Sequence, residues 1–187
     1  MIIASINNKT GDTKLVSLYR DTYLDVGDGN YQKANAAYAF GGPEQAIKMI
    51  NKNLDLNITD YVTVGFEGVT DLVDEVGGVE IDVQSVLSKA FEKLKKSGPV
   101  TMIKAANSLS SEVRTSLNPA EIASLAMKAM RFNISETNGF PNDQYRAVGY
   151  IGDQSCVIPV HLTDNVVWLH QYLFNDSSYQ VSSTVQE

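Results

Sequence analysis

The segment that most constrains this chain is "DYVTVGFEGVTDLVDEVGGVEIDV", residues 60–83. "DYVTVGF" is β-rich. Val69, Leu72, Val73 and Val76 then fall on one face at helical spacing, Gly77-Gly78 stops the helix, and "VEIDV" resumes as a strand. Strand, helix and strand packed into about 25 residues form a βαβ unit, so at least part of the sheet is expected to be parallel.

The rest of the sequence fits one α/β domain spanning 1–187, with a central mixed sheet flanked by helices. "MIIASIN" and "KLVSLYR" are two β-rich runs, and "NNKTGDT" supplies the turn residues of a hairpin between them. "VGDGNYQ" is a second turn-rich loop. "KANAAYAFGG" predicts a short helical turn stopped by Gly41-Gly42, and Pro43 then suits the first position of a new helix. In that helix Ala46, Ile47, Ile50 and Leu54 share a face. Residues 85–98 predict a helix with lysines on its solvated side. Asn118, Pro119 and Glu121 spell an N-cap, N1 and N3 of another. "QYRAVGYI" and "SCVIPV" predict a β-pair around Gly152-Asp153, and "DNVVWLHQYLF" a last helix capped by Asp164 or Asn165. The polar tail after Phe174 is expected to fray.

Charge narrows the function. A net charge of -7 argues against a nucleic-acid partner, which requires a basic footprint. It leaves room for a small basic pocket, so the four arginines, at 20, 114, 131 and 146, each matter. The single cysteine, Cys156, excludes an internal disulfide, and no Cys/His cluster suggests zinc. No apolar run approaches the roughly 18 residues of a membrane span. The chain opens in mid-strand at "MII", and the expectation is that an anchoring or targeting segment stands upstream.

Arg20-Asp21 follows the second strand. A charged pair there suits a solvated ion pair. It also suits a guanidinium aimed into a cleft to bind phosphate in two-pronged fashion, with the carboxylate orienting it or accepting a proton. Lys33 and Asn35 follow the glycine loop at a helix start, where a cation makes sense beside a bound anion. His161 and His170 are too far apart for a metal pair, His170 reads as structural, and Cys156 as a buried small hydrophobe.

Three ordered motifs resemble the LytR–CpsA–Psr domain of bacterial cell-envelope enzymes. They are S-x-x-R-D-T at Ser17–Thr22, K-x-N-x-A-Y-x-x-G-G at Lys33–Gly42, and V-D-x-x-G-G-V at Val73–Val79. The resemblance covers about residues 1–83. It implies transfer of a glycopolymer from a polyprenyl-pyrophosphate carrier to peptidoglycan or another envelope acceptor, in enzymes of teichoic acid or capsule type. It also implies an apolar lipid-binding cleft, magnesium (Mg2+) at the pyrophosphate, and a place on the extracellular face of the bacterial cytoplasmic membrane, reached through an N-terminal anchor. By motif match Arg20 and Asp21 are the expected catalytic residues, and Arg20, Lys33, Asn35 and Tyr38 the substrate-binding ones.

The chain departs from the family twice. The acidic metal ligands are expected upstream of Met1, so none is assignable here. An arginine-rich stretch expected after "VEIDV" is missing near 83–86. A non-catalytic polyprenyl-phosphate binding domain, or a regulatory envelope domain of the same fold, is the alternative.

Overall fold

The computed structural model describes residues 1–78, 86–97, 101, 104–105, 112–129 and 131–185. In chain order the elements are β1 (Ile2–Ile6), β2 (Asp12–Leu18), β3 (Tyr23–Asp25), β4 (Tyr31–Lys33), α1 (Asn35–Leu54), β5 (Val62–Val64), α2 (Phe66–Glu75), α3 (Val86–Lys96), β6 (Val113–Thr115), α4 (Pro119–Ala129), β7 (Asn133–Phe140), β8 (Arg146–Ile151), β9 (Gln154–Pro159) and α5 (Leu162–Phe174). The chain divides into two compact units, one of Met1–Thr59 with Phe132–Glu187 and one of Asp60–Arg131.

The first unit is built on a mixed three-stranded sheet in the order β1-β2-β7. β1 and β2 form the expected antiparallel hairpin, with Ile2 opposite Ser17 and Ile6 opposite Thr13. Its loop closes because the Asn7 carboxamide accepts the amides of Lys9 and Thr10, and Gly11 takes a φ of 79°. The parallel pairing comes from β2 and β7, with Leu18 beside Phe140. The strand expected at 79–83 lies outside the described residues, as does the residue 83–85 part of the junction where an arginine-rich stretch is expected. β5 pairs antiparallel with β6.

The core of this unit gathers Val16, Leu18, Leu24, Val26, Phe140, Val166 and Leu169, each at most 2% exposed. α1 breaks where its glycines stand: Gly41 and Gly42 leave helical geometry, Gly42 at a φ of 65°, and Pro43 restarts the helix. The buried face of α1 is Ala46, Met49, Ile50 and Leu54, while Ile47 is only half-buried. Asp25 is buried at the end of β3. It ties the following turn down by accepting the amides of Gly27 (2.8 Å) and Gly29 (3.2 Å), and pairs with Lys52 of α1 at 2.5 Å. Burial pushes its carboxyl up. The Lys52 hydrogen bond, both amides and the Lys52 charge outweigh that and hold it below the ordinary value.

α5 starts at Leu162, after His161 in a left-handed conformation, and is not capped by Asp164 or Asn165. Asn165 instead turns inward. Its Nδ2 donates to the carbonyls of Tyr145, Val160 and His161, and its Oδ1 accepts the Asn142 amide. His170 is structural as expected, buried, with Nε2 3.2 Å from the Leu54 carbonyl.

The second unit keeps two of the predicted helix ends. Asn118 Oδ1 accepts the amides of Ala120 and Glu121, and the Glu121 carboxylate accepts the Asn118 amide at 2.8 Å, a closed capping box. Gly77 and Gly78, both at positive φ, end α2. Lys93 of α3 donates to both of their carbonyls, so this lysine caps a helix rather than merely solvating one.

The described tail, residues 175–185, does not fray. Asp55, at the left-handed C-cap of α1, accepts the Tyr179 hydroxyl and both the amide and hydroxyl of Ser182 (2.7 Å each), and Tyr179 stacks on His170 at 3.6 Å. Burial and the Asp55 hydrogen bond push the Tyr179 phenol up to about 12. Burial pushes the Asp55 carboxyl up, but the Tyr179 and Ser182 hydrogen bonds outweigh it and hold Asp55 below the ordinary value. A depressed carboxyl contributes its stability above its unfolded pKa and loses it as pH falls through the folded one. Asp55→Asn is therefore expected to cost about 1 kcal/mol at pH 7 in urea unfolding, with the loss shrinking below about pH 4.

Candidate functional site

Arg20 and Asp21 are the two central residues of a turn at the C-terminal end of β2, closed by the Thr22 amide on the Tyr19 carbonyl at 3.1 Å. The parallel strands β2 and β7 end together here, and the Tyr19 amide donates to the Phe140 carbonyl. The crevice beyond the carboxyl ends of parallel strands is where α/β sheets bind ligands. Neighbours fix the turn's backbone. The Arg20 carbonyl accepts the Asn35 amide (3.2 Å), the Asp21 carbonyl accepts the Val157 amide (2.9 Å), and the Thr22 carbonyl accepts the Ala34 amide (2.7 Å). Strand β9 and the β4–α1 junction thus brace it from two directions.

The side chains sort by exposure. Arg20 is 77% exposed, with its Nε 3.6 Å from Asp21 Oδ1, a loose contact that leaves most of its donors free. Lys33, at the end of β4, is 24% exposed and stands 3.2 Å from the same oxygen. Asp21 Oδ1 is enclosed and, among the described residues, receives only these two charge contacts. The side chain is nonetheless 39% exposed, so its outer oxygen faces solvent. Beneath the turn the fully buried Thr22 hydroxyl has no hydrogen-bond partner among the described residues. An orphan of that kind is uncommon away from sites that trade packing for chemistry.

The five residues expected at the site are thus brought together unequally. Arg20, Asp21 and Lys33 form one charge cluster. Asn35 joins through its backbone and opens α1 with an exposed side chain. Tyr38 is 42% exposed one turn further on, with no hydrogen bond or ion pair to the cluster.

Spacing along the chain does not point to Arg146, yet the fold puts it over Tyr19, the residue before Arg20. Its guanidinium lies over the Tyr19 ring at 4.9 Å and is steered by Asp143 at 2.9 Å. Tyr19 in turn lies against Gly139, where a Cβ would collide with its hydroxyl and ring. The signal that could have found Arg146 is its position at the start of the predicted β-pair. Arg114 and Arg131 belong to the other unit.

No group of three or more His, Cys, Asp or Glu able to hold a metal exists among the described residues. At the cluster, Asp21 is already paired with Lys33, so these residues do not fit a magnesium site.

Residues 1–96 match the model of the LytR_cpsA_psr family. A TagU of Enterococcus faecalis, named a polyisoprenyl-teichoic acid–peptidoglycan teichoic acid transferase, is 43% identical over 82 residues, covering 43% of this chain and 27% of that protein. The match thus spans about a quarter of such relatives' own length. Among solved structures, TagT bound to LI-WTA superposes with a TM-score of 0.71 at 15% identity, over 95% of this chain and 84% of that one. TagU of B. subtilis superposes with a TM-score of 0.64 at 19% identity, over 92% and 90%. At these identities the structures show the fold, a mixed α/β architecture around a central mixed sheet.

The Tyr19–Gly139 contact can be tested directly. Gly139→Ala is expected to lower stability by about 1–3 kcal/mol in urea unfolding, because the ring must leave its seat. Gly149→Ala, whose Cβ would meet only Ile158 Cδ1 at 3.5 Å, is expected to stay within about 0.5 kcal/mol of the parent.

Proposed function

The chain belongs to the LytR_cpsA_psr family, and from that premise we propose that it transfers a glycopolymer from a polyprenyl-pyrophosphate carrier to peptidoglycan or a related envelope acceptor. The observation that carries this reading is the Arg20 guanidinium, exposed on a braced turn at the end of the parallel strands, beside a carboxylate that Lys33 neutralises.

In the proposed reaction an acceptor hydroxyl attacks the phosphorus that carries the glycopolymer. The bridging P–O bond of the pyrophosphate breaks, and its electron pair leaves on the lipid phosphate. Charge therefore builds on phosphate oxygens, and cations fixed in place beforehand lower that barrier. Arg20 supplies planar paired donors for those oxygens, and Lys33 a point charge. In this reading the outer oxygen of Asp21 takes the hydroxyl proton. Asn35 and Tyr38, one turn apart on α1, line the approach. The polyprenyl tail calls for an apolar cleft. Ala46, Ile50 and Leu54 are unavailable for its walls because they are core. Among the described residues no helix is long and apolar enough to cross a membrane. The place at the outer face of the membrane is part of the proposal, as is magnesium dependence, for which these residues supply no site.

The test is transfer by the full-length protein, with a polyprenyl-pyrophosphate-linked glycopolymer as donor and peptidoglycan as acceptor. Arg20→Ala is expected to lower the rate roughly 10²–10³-fold while lipid binding persists. Asp21→Asn is expected to lower kcat with little change in KM. A wild type that binds the carrier but never transfers would make the domain a carrier-lipid binding module instead.

A further inference from the structure

A cavity of about 290 Å³ lies on the outer face of α5, lined by Tyr145, Asp164, Val167, Trp168, Gln171 and Ser177. Helical spacing explains the lining: 164, 167/168 and 171 share one face, while Val166, Leu169 and Leu173 on the other side are core. From this cavity we propose a saccharide-binding subsite, whose occupant is an uncharged sugar ring of the glycan acceptor.

Four observations favour a sugar. The walls are mostly apolar with a few convergent polar groups, the usual form of a small-ligand site, and the volume is near the lower end of such sites, about 300 Å³. The indole of Trp168 is stacked on Tyr172 at 5.6 Å with planes 8° apart, and Tyr172 is buried, so a flat aromatic surface is held rigid in the wall. Such a face suits the C–H side of a pyranose. The Asp164 carboxylate, the Gln171 amide, and the Tyr145 and Ser177 hydroxyls make no hydrogen bond or ion pair of their own among the described residues. They offer both donors and acceptors, as a ring of hydroxyls requires. Finally, Asp164, the only charged wall among the described residues, disfavours anions, and a chain of net charge -7 does so further.

The position also fits. Tyr145 is pinned by its carbonyl, which accepts the Val160 amide (2.8 Å) and Asn165 Nδ2 (2.9 Å). The next residue is Arg146, whose guanidinium covers Tyr19 beside Arg20. The cavity and the charge cluster are therefore joined through one short stretch of rigid backbone. Saccharide binding stands on the cavity alone, while its assignment to the acceptor rests on the transfer reading above.

Trp168 is the only tryptophan in the chain, so its fluorescence reports on this cavity alone. Titration of the protein with the trimer of N-acetylglucosamine is expected to give a saturable change in that emission. The Asp164→Asn/Gln171→Ala double variant is expected to weaken it at least tenfold; both positions are exposed, so the fold is not at risk. Arg20→Ala is expected to bind the trimer unchanged, so that a failed transfer reading and a failed sugar site give different results. No saturable change up to about 10 mM, where a site of ~1 mM Kd is nine-tenths filled, overturns the proposal. So does binding that the double variant leaves intact.

Discussion

The parallel pairing of β2 with β7 is the contact on which the first unit depends. It joins segments about 120 residues apart, with a closure cost that grows only as the logarithm of the loop. What repays it is local and dense. Leu18 and Phe140 meet at the end of the ladder, both essentially fully buried, and the Tyr19 amide extends the pairing one step onto the Phe140 carbonyl. That last bond fixes where β2 stops, and therefore where the Arg20-Asp21 turn begins. The chemistry proposed for the turn inherits its precision from the sheet rather than from the charged residues themselves, whose mutual contacts are loose and largely exposed.

The second brace is electrostatic and more deeply set. Asp25 holds the loop after β3 to α1 through Lys52, and Asn53 both donates to the Asp25 carbonyl and accepts its amide. A buried carboxylate is costly unless several donors face it, and here Lys52, Gly27 and Gly29 do. The loop between β3 and β4 is thereby fixed at its base, which sets the start of β4 and so the placing of Lys33. Lys33 reaches Asp21 because Asp25, four residues further along, is pinned to a helix.

Much of this could be read from the sequence where the signal is local. The β1–β2 hairpin, the break at Gly41-Gly42, the Asn118 capping box and the β8–β9 pair rest on turn and cap chemistry within a few residues, and they stand as expected. β7 could not be read that way. "NISETNGF" carries polar residues along most of its length because four consecutive positions, 135–138, are exposed, so no apolar alternation marks it as a strand. The sequence instead points to "DYVTVGF" and "VEIDV" as the parallel pair, because those runs carry the β-rich pattern. The N-terminus of α5 differs from its local signal for a related reason. Asp164 and Asn165 look like caps, but Asn165 spends its hydrogen bonds on three carbonyls and an amide of the loop before β8 and of the helix start. The tail read as loose because its anchors, Tyr179 and Ser182, are single residues in a polar run, and their partner Asp55 lies over 100 residues away.

The same limit explains the uneven view of the site. Arg20, Asp21 and Lys33 belong to contiguous motifs, and the fold draws those into one cluster. Arg146 belongs to no motif. It arrives because β9 bridges to Thr22, which sets the β8–β9 pair against the turn and carries the first residue of β8 to the Tyr19 ring. A residue recruited by tertiary pairing leaves no spacing rule behind. Its mark is an unusual neighbour, here a glycine that cannot accept a Cβ because a tyrosine fills the space. Gly139, Tyr19 and Arg146 form one stack, and a change at the glycine reaches the arginine through the ring without touching either charge. Arg146 is thus bound to the register of β2 and β7 as firmly as Arg20 is, one through a stacked ring and the other through the backbone of the turn.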